Sequence, residues 1–365
     1  FAPIGSNCII GRYNVANNSF VKLVEGRFLN FAKNNPIIGV NILENLLFWT
    51  DNRNQPRKIN ITSATQVPGY YTTEDQISVA KLNPYEPIEL YREVNSIWET
   101  TMLDKTSLLL PDGVTANPNY DAQYAGDPDF LEDKFVRFSY RYIFDDGEHS
   151  IIAPFTQPAF IPKQDGYFLD GDEEQTFSST IVDFAKNKVN KIDMQIPLPD
   201  MASKIYNNYK INEIDVVYKE SDALALQVVE TIQVDSISSS AEDSNVFEYT
   251  YNSTKPFKTL PSNEITRVYD KVPVKALGQE IISNRVVYSN FQDKHTPPTA
   301  LKYQVAASEK YDFNAGESIF SSKTTIEYPN HSVKENRNYQ VGFVLSDKFG
   351  RQSSVILSPV DDVFT

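Results

Sequence analysis

Two β-hairpin patterns occur twice in this chain, in the same order, and this duplication limits the fold more than any other feature. The segment Gly39–Asn52 is similar to Gly278–Phe291. Further along the chain, Phe138–Ser150 is similar to Asn338–Ser353. Repeated supersecondary units indicate a modular scaffold in which neighbouring units bury each other's apolar faces. The sequence therefore predicts a framework of hairpins, and it does not point to one catalytic pocket.

The two copies are unequally spaced. Gly39 and Gly278 are 239 residues apart, whereas Tyr140 and Tyr339 are 199 residues apart. The first copy is therefore expected to hold about 40 more residues between its two units. These residues fall within or close to the loop-rich stretch 62–134, which is the first place to expect contacts between subunits of an assembly.

Alternation of apolar and polar residues identifies the strands of the first copy. A strand over Asn45–Thr50 leads into a polar turn, Asp51–Pro56, and a second strand follows over Arg57–Ile61. Asp and Asn bond their own backbone in tight turns, and Pro cannot continue a ladder. A second alternating strand, Val136–Phe144, precedes the hairpin turn Asp145–Glu148, which contains an Asp-Gly pair.

One segment has the pattern of a helix. It is Pro199–Tyr209, for which Asp200 is the expected N-cap. Met201, Ile205 and Tyr209 recur at a spacing of four and share one face. The predicted fold class is therefore mainly β, with repeated β-hairpin modules and few short helices.

The composition is that of a globular and acidic protein. Hydrophobic residues make up 41% of the 365 residues, which is enough for a sizeable core. Tyr and Phe are abundant, and aromatic residues favour strands. The net charge of −14 argues against a basic nucleic-acid-binding face, since such faces neutralise phosphates with Lys and Arg. One role with DNA stays open, a passage through which DNA slides without sticking.

The residues that carry chemistry are sparse. Cys8 is the only cysteine, so an intrachain disulfide framework and a Cys-rich zinc site are excluded, and a small buried side chain is expected. His149, His295 and His331 are far apart in the sequence and lack metal-binding spacing. The motifs of a hydrolase elbow, a dinucleotide fold and a P-loop are all missing. No apolar run reaches the length of about 20 residues that a membrane helix needs.

Clusters of acidic residues could in principle bind calcium or form catalytic pairs. Asp170–Glu174 alternates carboxylates, but an EF-hand loop needs Gly and Glu where Gln175 and Ile181 stand. Asp145–Asp146 and Asp361–Asp362 are adjacent pairs, and glycoside hydrolysis needs two carboxyls that face each other across a cleft. A solvated loop and hairpin-turn chemistry explain these residues without an active site. No catalytic residue, metal site or cofactor is predicted.

Three regions are expected along the chain. Residues 1–134 would form a β domain with the hairpin unit and a long loop excursion. Residues 135–270 would form an Ig- or fibronectin-III-like β region with one short helix, and 271–365 would hold the second copy of both units. The chain opens at Phe1, inside a strand pattern, so we expect a piece of a longer protein.

Several of these motifs resemble those of a known family. Phe48–Asn52 followed by Pro56–Ile61 resembles a motif in structural proteins of tailed phages. These are the stabilization or tail nozzle ("muzzle") proteins of the crAss-like phages of gut Bacteroidetes and of related podovirus-like phages. Val272–Asn290 is similar to a second motif of the group, and Phe138–Ser150 and Tyr339–Ser353 are similar to its Tyr-rich hairpins. Together they cover about a third of the chain, and similar hairpins also occur in fibronectin-III-like and YWTD-propeller proteins.

The resemblance implies a non-enzymatic, β-rich virion protein of the tail, propeller-like with Ig-like additions. It would form a homo-oligomeric ring, expected to be a hexamer, below the portal and adaptor ring and beside other tail proteins. That ring would form or gate the tube through which genomic DNA is retained and ejected, without binding DNA specifically and without a membrane. The acidic charge and the absence of a catalytic set are compatible with this role.

Subunit contacts are expected at aromatic and basic residues of the hairpins and loops. For Trp49 two alternatives stay open, an interface anchor and ordinary core packing. Arg53, Arg57 and Lys58 form a small basic cluster in the sequence beside Phe48 and Trp49. The candidate interface residues are Trp49, Arg53, Arg57, Tyr85, Trp98, Tyr120 and Tyr124.

Two other functions stay open on the sequence. One is a glycan-binding or glycan-depolymerising tail protein, which would show a cleft with two facing carboxylates and aromatic platforms. The other is a cell-surface adhesion module of the fibronectin-III type.

Overall fold

The fold is described from a computed structural model. The structure describes residues 7–91, 108–109, 112–117, 120, 122, 127, 130–131, 133–159, 162–163, 186–187, 189, 192–221, 223–240, 244–256, 258–265, 271–283, 285–298, 301 and 337–357. The described part is mainly β, as the sequence predicts, and its strands pair antiparallel, with one isolated parallel bridge in that part between His295 and Ser353.

The strands of the described part run in chain order as follows: β1 (Cys8–Asn14), β2 (Ser19–Gly26), β3 (Gly39–Leu43), β4 (Leu46–Thr50), β5 (Arg57–Asn60), β6 (Glu89–Tyr91), β7 (Val136–Phe144), β8 (Pro162–Lys163), β9 (Lys186–Asn187), β10 (Ile192–Pro197), β11 (Ile211–Glu220), β12 (Gln227–Gln233), β13 (Val246–Tyr251), β14 (Lys258–Thr259), β15 (Lys275–Ile282), β16 (Arg285–Gln292), β17 (Gly342–Phe343) and β18 (Ile356–Leu357). The short helices are α1 (Ile61–Gln66), α2 (Glu74–Ile77), α3 (Ala202–Tyr209), α4 (Val234–Ser240) and α5 (Ser262–Ile265), with a 3-10 turn at Arg27–Leu29.

A first core lies in the N-terminal part, around the sheet β3-β4-β5 and the hairpin β1-β2. Trp49 of β4, Ile59 of β5 and Leu29 are buried together, and the Phe31 ring meets the Trp49 ring edge-on at 6.3 Å. The turn between β4 and β5 is built as predicted, because the Asp51 carboxylate accepts the backbone N–H groups of Arg53 and Asn54.

A second and larger core lies between two sheets. The four-stranded sheet β14-β12-β11-β7 shares this core with the three-stranded sheet β13-β10-β6. Alternate residues of β7, beginning with Val136 and Phe138, point into it, and the Phe138 ring lies 5.2 Å from that of Tyr251 on β13. Burial of aromatic and β-branched residues from both sheets is what stabilises this part of the chain.

The predicted helix at Pro199–Tyr209 is confirmed as α3, but its N-cap is Met201 and not Asp200. The Asp200 carboxylate instead accepts the Met201 N–H and the Asn208 side-chain amide. Of the residues expected on one face, Ile205 is fully buried whereas Met201 is exposed. The strand predicted to reach Ile61 ends at Asn60, because the Asn60 side chain accepts two N–H groups and caps α1.

The first repeated hairpin has the same register in both copies. Gly39 pairs with Thr50 across β3 and β4, and Gly278 pairs with Ser289 across β15 and β16. Both hairpins are closed by two residues, the first of which has a positive φ, 53° in the first copy and 47° in the second. The duplication seen in the sequence is therefore a duplication of backbone geometry in this unit.

The second repeated hairpin is also duplicated, with a spacing that corrects the sequence alignment. Gly147 N–H donates to Phe144 O, and Gly350 N–H donates to Asp347 O in the same way. Both glycines have positive φ, 75° and 79°. The equivalent residues are thus 203 apart and not 199, so the first copy holds about 36 extra residues and not about 40.

One serine in each copy fixes this second alignment. Ser150 N–H donates to Tyr142 O while the Ser150 hydroxyl accepts the Tyr142 N–H. Ser353 N–H donates to Leu345 O, and its hydroxyl accepts the Leu345 N–H. A shift of four residues arises because the turns differ in sequence, whereas the hydrogen-bond pattern is the same.

The copies also contact each other. The Asn52 N–H donates to Ala276 O at 2.9 Å, and the Gln279 amide donates to the Asn41 side chain at 3.2 Å. Gly39 lies so close to Gln279 that a Cβ at Gly39 would stand 2.8 Å from the Gln279 nitrogen. These contacts join the predicted regions 1–134 and 271–365, whose boundaries stay a prediction.

Candidate functional site

The second hairpin of the first copy has the turn Asp145–Glu148, whose carboxylates pair with two buried lysines. Lys58 of β5 and Lys81 are each 7% exposed at the side chain, and both pair with Asp146, at 3.1 and 2.8 Å. Lys58 also binds Glu148. Because the turn follows β7 and Lys58 belongs to β5, these four side chains fasten the N-terminal sheet to the four-stranded sheet. We call them the lysine clasp: Lys58, Lys81, Asp146 and Glu148.

A small polar cavity of about 60 Å³ lies beside the lysine clasp. Asp145, Lys210 and Tyr70 line it, and the Tyr70 hydroxyl donates to the Asp145 carboxylate. The Lys210 ammonium lies 4.4 Å from the centre of the Tyr70 ring. A cavity of this size has room for a few water molecules and is far smaller than ligand pockets, which begin at about 300 Å³.

The two neighbouring carboxyls of the turn have opposite protonation behaviour. Partial burial and the adjacent Asp146 charge raise the pKa of Asp145 to about 6. Burial opposes ionisation of Asp146 too, but the lysines Lys81 and Lys58 outweigh it and lower the pKa of Asp146 to about 2. Burial lowers the pKa of Lys210, which Asp145 partly offsets.

An acid and a base side by side could suggest glycoside hydrolysis, which pairs a protonated and an ionised carboxyl. Here Asp146 is held by two ammonium groups, and the cavity beside Asp145 is too small for a sugar ring. The ionic groups therefore fasten one sheet to another, in agreement with the turn chemistry expected from the sequence.

A larger cleft of about 390 Å³ also borders this turn, at Glu148. Arg141 and His149 line it together with Glu264. The Arg141 guanidinium is 2% exposed and donates to Asp215 at 2.9 Å and to Glu264. Burial and then the Arg141 charge lower the pKa of His149. Asp215 is itself fully buried and also accepts from the Thr231 hydroxyl at 2.6 Å.

In the second copy, Arg351 stands at the position that Glu148 has in the first copy. Its guanidinium donates to Pro273 O, which precedes β15, and to Gln55, which lies in the turn between β4 and β5, each at 2.9 Å. Asp347 accepts from the Arg351 guanidinium at 2.8 Å and contacts the His295 ring at the same distance. The charges differ between the copies, but each turn bonds residues next to a copy of the first repeated hairpin. These are Lys58 of β5 for the first turn, and Pro273 and Gln55 for the second.

Asn83 bonds both copies of the second hairpin. Its N–H donates to Lys348 O at 3.2 Å, and its side-chain oxygen accepts the Ile151 N–H at 3.4 Å. A Cβ at Gly350 would stand 2.7 Å from the Asn83 amide nitrogen. Asn83 therefore lies where the two turns meet, and the positive φ of Gly350 favours glycine opposite it.

The two copies differ most in what covers their apolar residues. In the first copy Val136, Phe138, Tyr140 and Tyr142 are 2% exposed or less, because the sheet β13-β10-β6 shares their core. The equivalent residues of the second copy are again apolar, and they are between 37% and 43% exposed. We call them the open face: Tyr339, Val341, Phe343 and Leu345.

The structure divides the interface residues predicted from the sequence. Trp49 and Arg57 are 3% and 1% exposed, so they pack inside the chain and we withdraw them from the predicted interface. Arg53, Tyr85 and Tyr120 are exposed, and their interface role stays a prediction. Trp98 and Tyr124 lie outside the described residues.

The basic cluster expected at residues 53–58 does not form. Arg53 donates to Asn30, Arg57 donates to Leu29 O and pairs with Glu74, and Lys58 belongs to the lysine clasp. Each cation bonds a different partner because the turn and strand point them in different directions.

Other predicted sites yield little. No group of three or more His, Cys, Asp or Glu residues able to hold a metal ion is found among the described residues. The acidic loop Asp170–Glu174 and the pair Asp361–Asp362 lie outside those residues. In the part of the chain that the structure describes, no helix has the length and apolar character to cross a membrane.

Sequence reasoning missed the residues that hold the units together. Lys81, Asn83 and Lys210 are separated from the hairpins in sequence, and no spacing marks them as partners. One signal was present for Asp215. It interrupts the apolar run Ile214–Tyr218 of β11, and a charge inside a buried strand calls for a buried partner.

A scan of the chain against models of protein families finds no match. A search of curated proteins finds no match either.

Proposed function

We propose that this chain is a structural subunit of a phage tail nozzle, which assembles with copies of itself into a ring. The family is taken from the resemblance of Phe48–Asn52 with Pro56–Ile61, and of the Tyr-rich hairpins Phe138–Ser150 and Tyr339–Ser353. The mode of action is taken from the arrangement of the hairpins. In this role the protein performs no chemistry and acts mechanically, as a stiff β-rich wall element with propeller-like and Ig-like parts.

One observation carries the proposal, namely the open face. The second copy keeps the alternating apolar pattern of a buried strand, yet Tyr339, Val341, Phe343 and Leu345 are exposed. Contiguous exposed apolar surface marks sites of association.

The charge supports the second half of the proposal. A net charge of −14 repels the phosphates of DNA, so a ring of such subunits allows DNA to slide through it without adhering. The ring would be a hexamer that docks on the portal and adaptor ring and contacts other tail proteins. Internal stiffness comes from the lysine clasp and from Asn83, which fasten the hairpin units to one another.

Labelling of whole particles tests the location. Antibodies against this chain, carried on gold, are expected to bind at the tail of phage particles that encode it, below the head. Two results would contradict the proposal. One is labelling that occurs only after particles are disrupted and separated from their tails, and the other is labelling of the capsid surface.

A further inference from the structure

We infer that the small polar cavity beside the lysine clasp is a built hydration site, where ordered water molecules bind the Lys210 ammonium and link it to the Asp145 carboxylate. Three features of the described residues carry this inference: the burial of Lys210, the partners of its ammonium, and the size and lining of the cavity. The site lies inside one chain and does not depend on the proposed ring.

The backbone of Lys210 fixes where its side chain begins. Lys210 is the C-cap residue of α3 and has a left-handed φ of 60°. Its N–H donates to Tyr206 O at 2.9 Å, and its carbonyl oxygen accepts the Asp145 N–H at the same distance. Lys210 is only 9% exposed, so the side chain that leaves this fixed point runs along the protein interior.

Two tyrosine rings cover the ammonium without satisfying it. The Lys210 nitrogen lies 4.4 Å from the centre of the Tyr70 ring and 4.9 Å from that of the Tyr206 ring. An ammonium has three N–H donors, and a ring face attracts its charge but offers no lone pair. Among the described residues, no oxygen accepts a hydrogen bond from this ammonium and no carboxylate forms an ion pair with it. A buried ammonium without acceptors is costly, so acceptors from the adjoining cavity are required.

The cavity beside Lys210 has the size and the lining that bound water needs. Its volume of about 60 Å³ holds up to about four water molecules, at roughly 15 Å³ for each. The Asp145 carboxylate and the polar side chains of Ser63 and Gln76 also line it. Buried water stays in place where it finds two to four polar partners, and this lining provides them.

The charges around the cavity favour water over an ion. The lysine clasp contributes two ammonium and two carboxylate groups, and Lys210 and Asp145 add one of each. These charges balance at neutral pH, so a neutral guest fits better than chloride or a metal ion. Burial lowers the pKa of Lys210 and the Asp145 charge partly offsets this effect, which is consistent with two opposite charges that interact across a gap.

Filling the cavity with an apolar side chain distinguishes a hydrated site from a dry one. Ser63 of α1 lines the cavity, and Ser63→Leu extends apolar atoms into it. Urea unfolding is measured for Ser63→Leu, for Lys210→Met and for the double variant of the full chain. Thr62→Leu is the matched control, because Thr62 belongs to the same helix and is exposed.

We expect Ser63→Leu to lower the folding equilibrium constant by at least about fivefold, the effect of leaving a buried donor without its acceptor. Thr62→Leu is expected to change it by less than about twofold, as surface substitutions do. In the Lys210→Met background Ser63→Leu is expected to lose most of its effect, because no ammonium then needs the water. An unchanged or more stable Ser63→Leu protein, as filling of a dry cavity produces, overturns the inference. An equal loss in both backgrounds overturns it too.

A second measurement needs no substitution. In a crystal structure of the full chain that shows ordered water, we expect water at about 2.7–3.2 Å from the Lys210 nitrogen. At least one of these molecules is expected to contact the Asp145 carboxylate as well. Crystals soaked in bromide separate water from a halide, because only bromide gives an anomalous signal. An anomalous peak at Lys210, or a cavity without solvent density, contradicts the inference.

Discussion

Arg141 is a buried cation in the four-stranded sheet β14-β12-β11-β7. A guanidinium inside a β-sheet is expensive to bury, and it persists because Asp215 and Glu264 surround it. The equivalent position of the second copy is Val344, which needs no partner. The copies therefore diverged inside the same hairpin, with an ionic interior in one and an apolar surface in the other.

Arg141→Met leaves the carboxylate of Asp215 buried with the Thr231 hydroxyl as its remaining side-chain partner. We expect the free energy of unfolding to fall by about 3–5 kcal/mol, because an uncompensated buried charge remains. Urea denaturation of both proteins measures it. Lys22→Met, which breaks the exposed pair with Glu25, is the control and should cost under about 1 kcal/mol. A loss as small as that control at Arg141 would show that the ion pair does not stabilise the sheet.

The two carboxyls of the first-copy turn predict pH effects of opposite sign. The pKa of Asp145 is about 6 in the folded protein and 3.8 in a model peptide, so between these values the folded state binds the proton more tightly. Its contribution to stability is therefore largest below pH 3.8 and declines as the pH rises through 6. Asp145→Asn is expected to be more stable than the wild type at pH 7 and to lose the decline between pH 4 and 6. Calorimetric Tm values across that range measure both.

Asp146 behaves in the opposite way. Its pKa is lowered to about 2, so its contribution is present above pH 3.8 and is lost as the pH falls through 2. We therefore expect Asp146→Asn to lower the Tm at pH 7, where Asp145→Asn raises it. Equal effects of the two substitutions at neutral pH would contradict the assignment of Asp146 to the lysine clasp.

At the scale of elements, the two copies provide matched pairs of positions. Gly39 of β3 and Gly278 of β15 are equivalent, but a Cβ at Gly39 meets the backbone of Gln279, whereas at Gly278 it meets the Ser289 hydroxyl, which can rotate away. Gly39→Ala should therefore cost about 1–3 kcal/mol through overpacking, and Gly278→Ala under about 1 kcal/mol. Chemical denaturation of both variants tests this. Equal costs would mean that the hairpin copies do not pack as closely as described.

The elements that the sequence predicted correctly are those marked by local chemistry. Asp51 predicts the turn after β4, and the alternation of apolar residues in β7 predicts both the strand and its buried side. The helix α3 follows from the spacing of Ile205 and its neighbours. Local patterns of this kind need no knowledge of tertiary partners, which explains why they were sufficient.

The parts that could not be predicted depend on distant residues. Trp49 could be core or interface, and only the presence of Phe31 and Leu29 around it decides for the core. Lys58 was grouped with Arg53 by proximity in sequence, although its partners lie about 90 residues further along the chain. The sequence alignment of the second repeat matches aromatic residues and is therefore wrong by four residues. The structure aligns the two copies by Ser150 and Ser353.

At the scale of the whole molecule, the duplication is asymmetric in burial. In the first copy of the second hairpin, the apolar residues of β7 are buried, whereas their equivalents in the second copy are exposed. The first hairpin lacks this asymmetry, because Val40 and Ile42 of β3 are exposed, as are Ile282 and Phe291 of β15-β16. In the ring that we propose, the net charge of −14 would let the assembly enclose DNA without binding it.

The central claim is that copies of this chain associate into a closed ring, and its most direct test is the mass of the particle in solution. Mass photometry of the full-length protein, followed by negative-stain class averages, measures both mass and shape. We expect one closed ring of identical subunits, with a mass six times that of the subunit. A single species with the mass of one subunit at every concentration would contradict it.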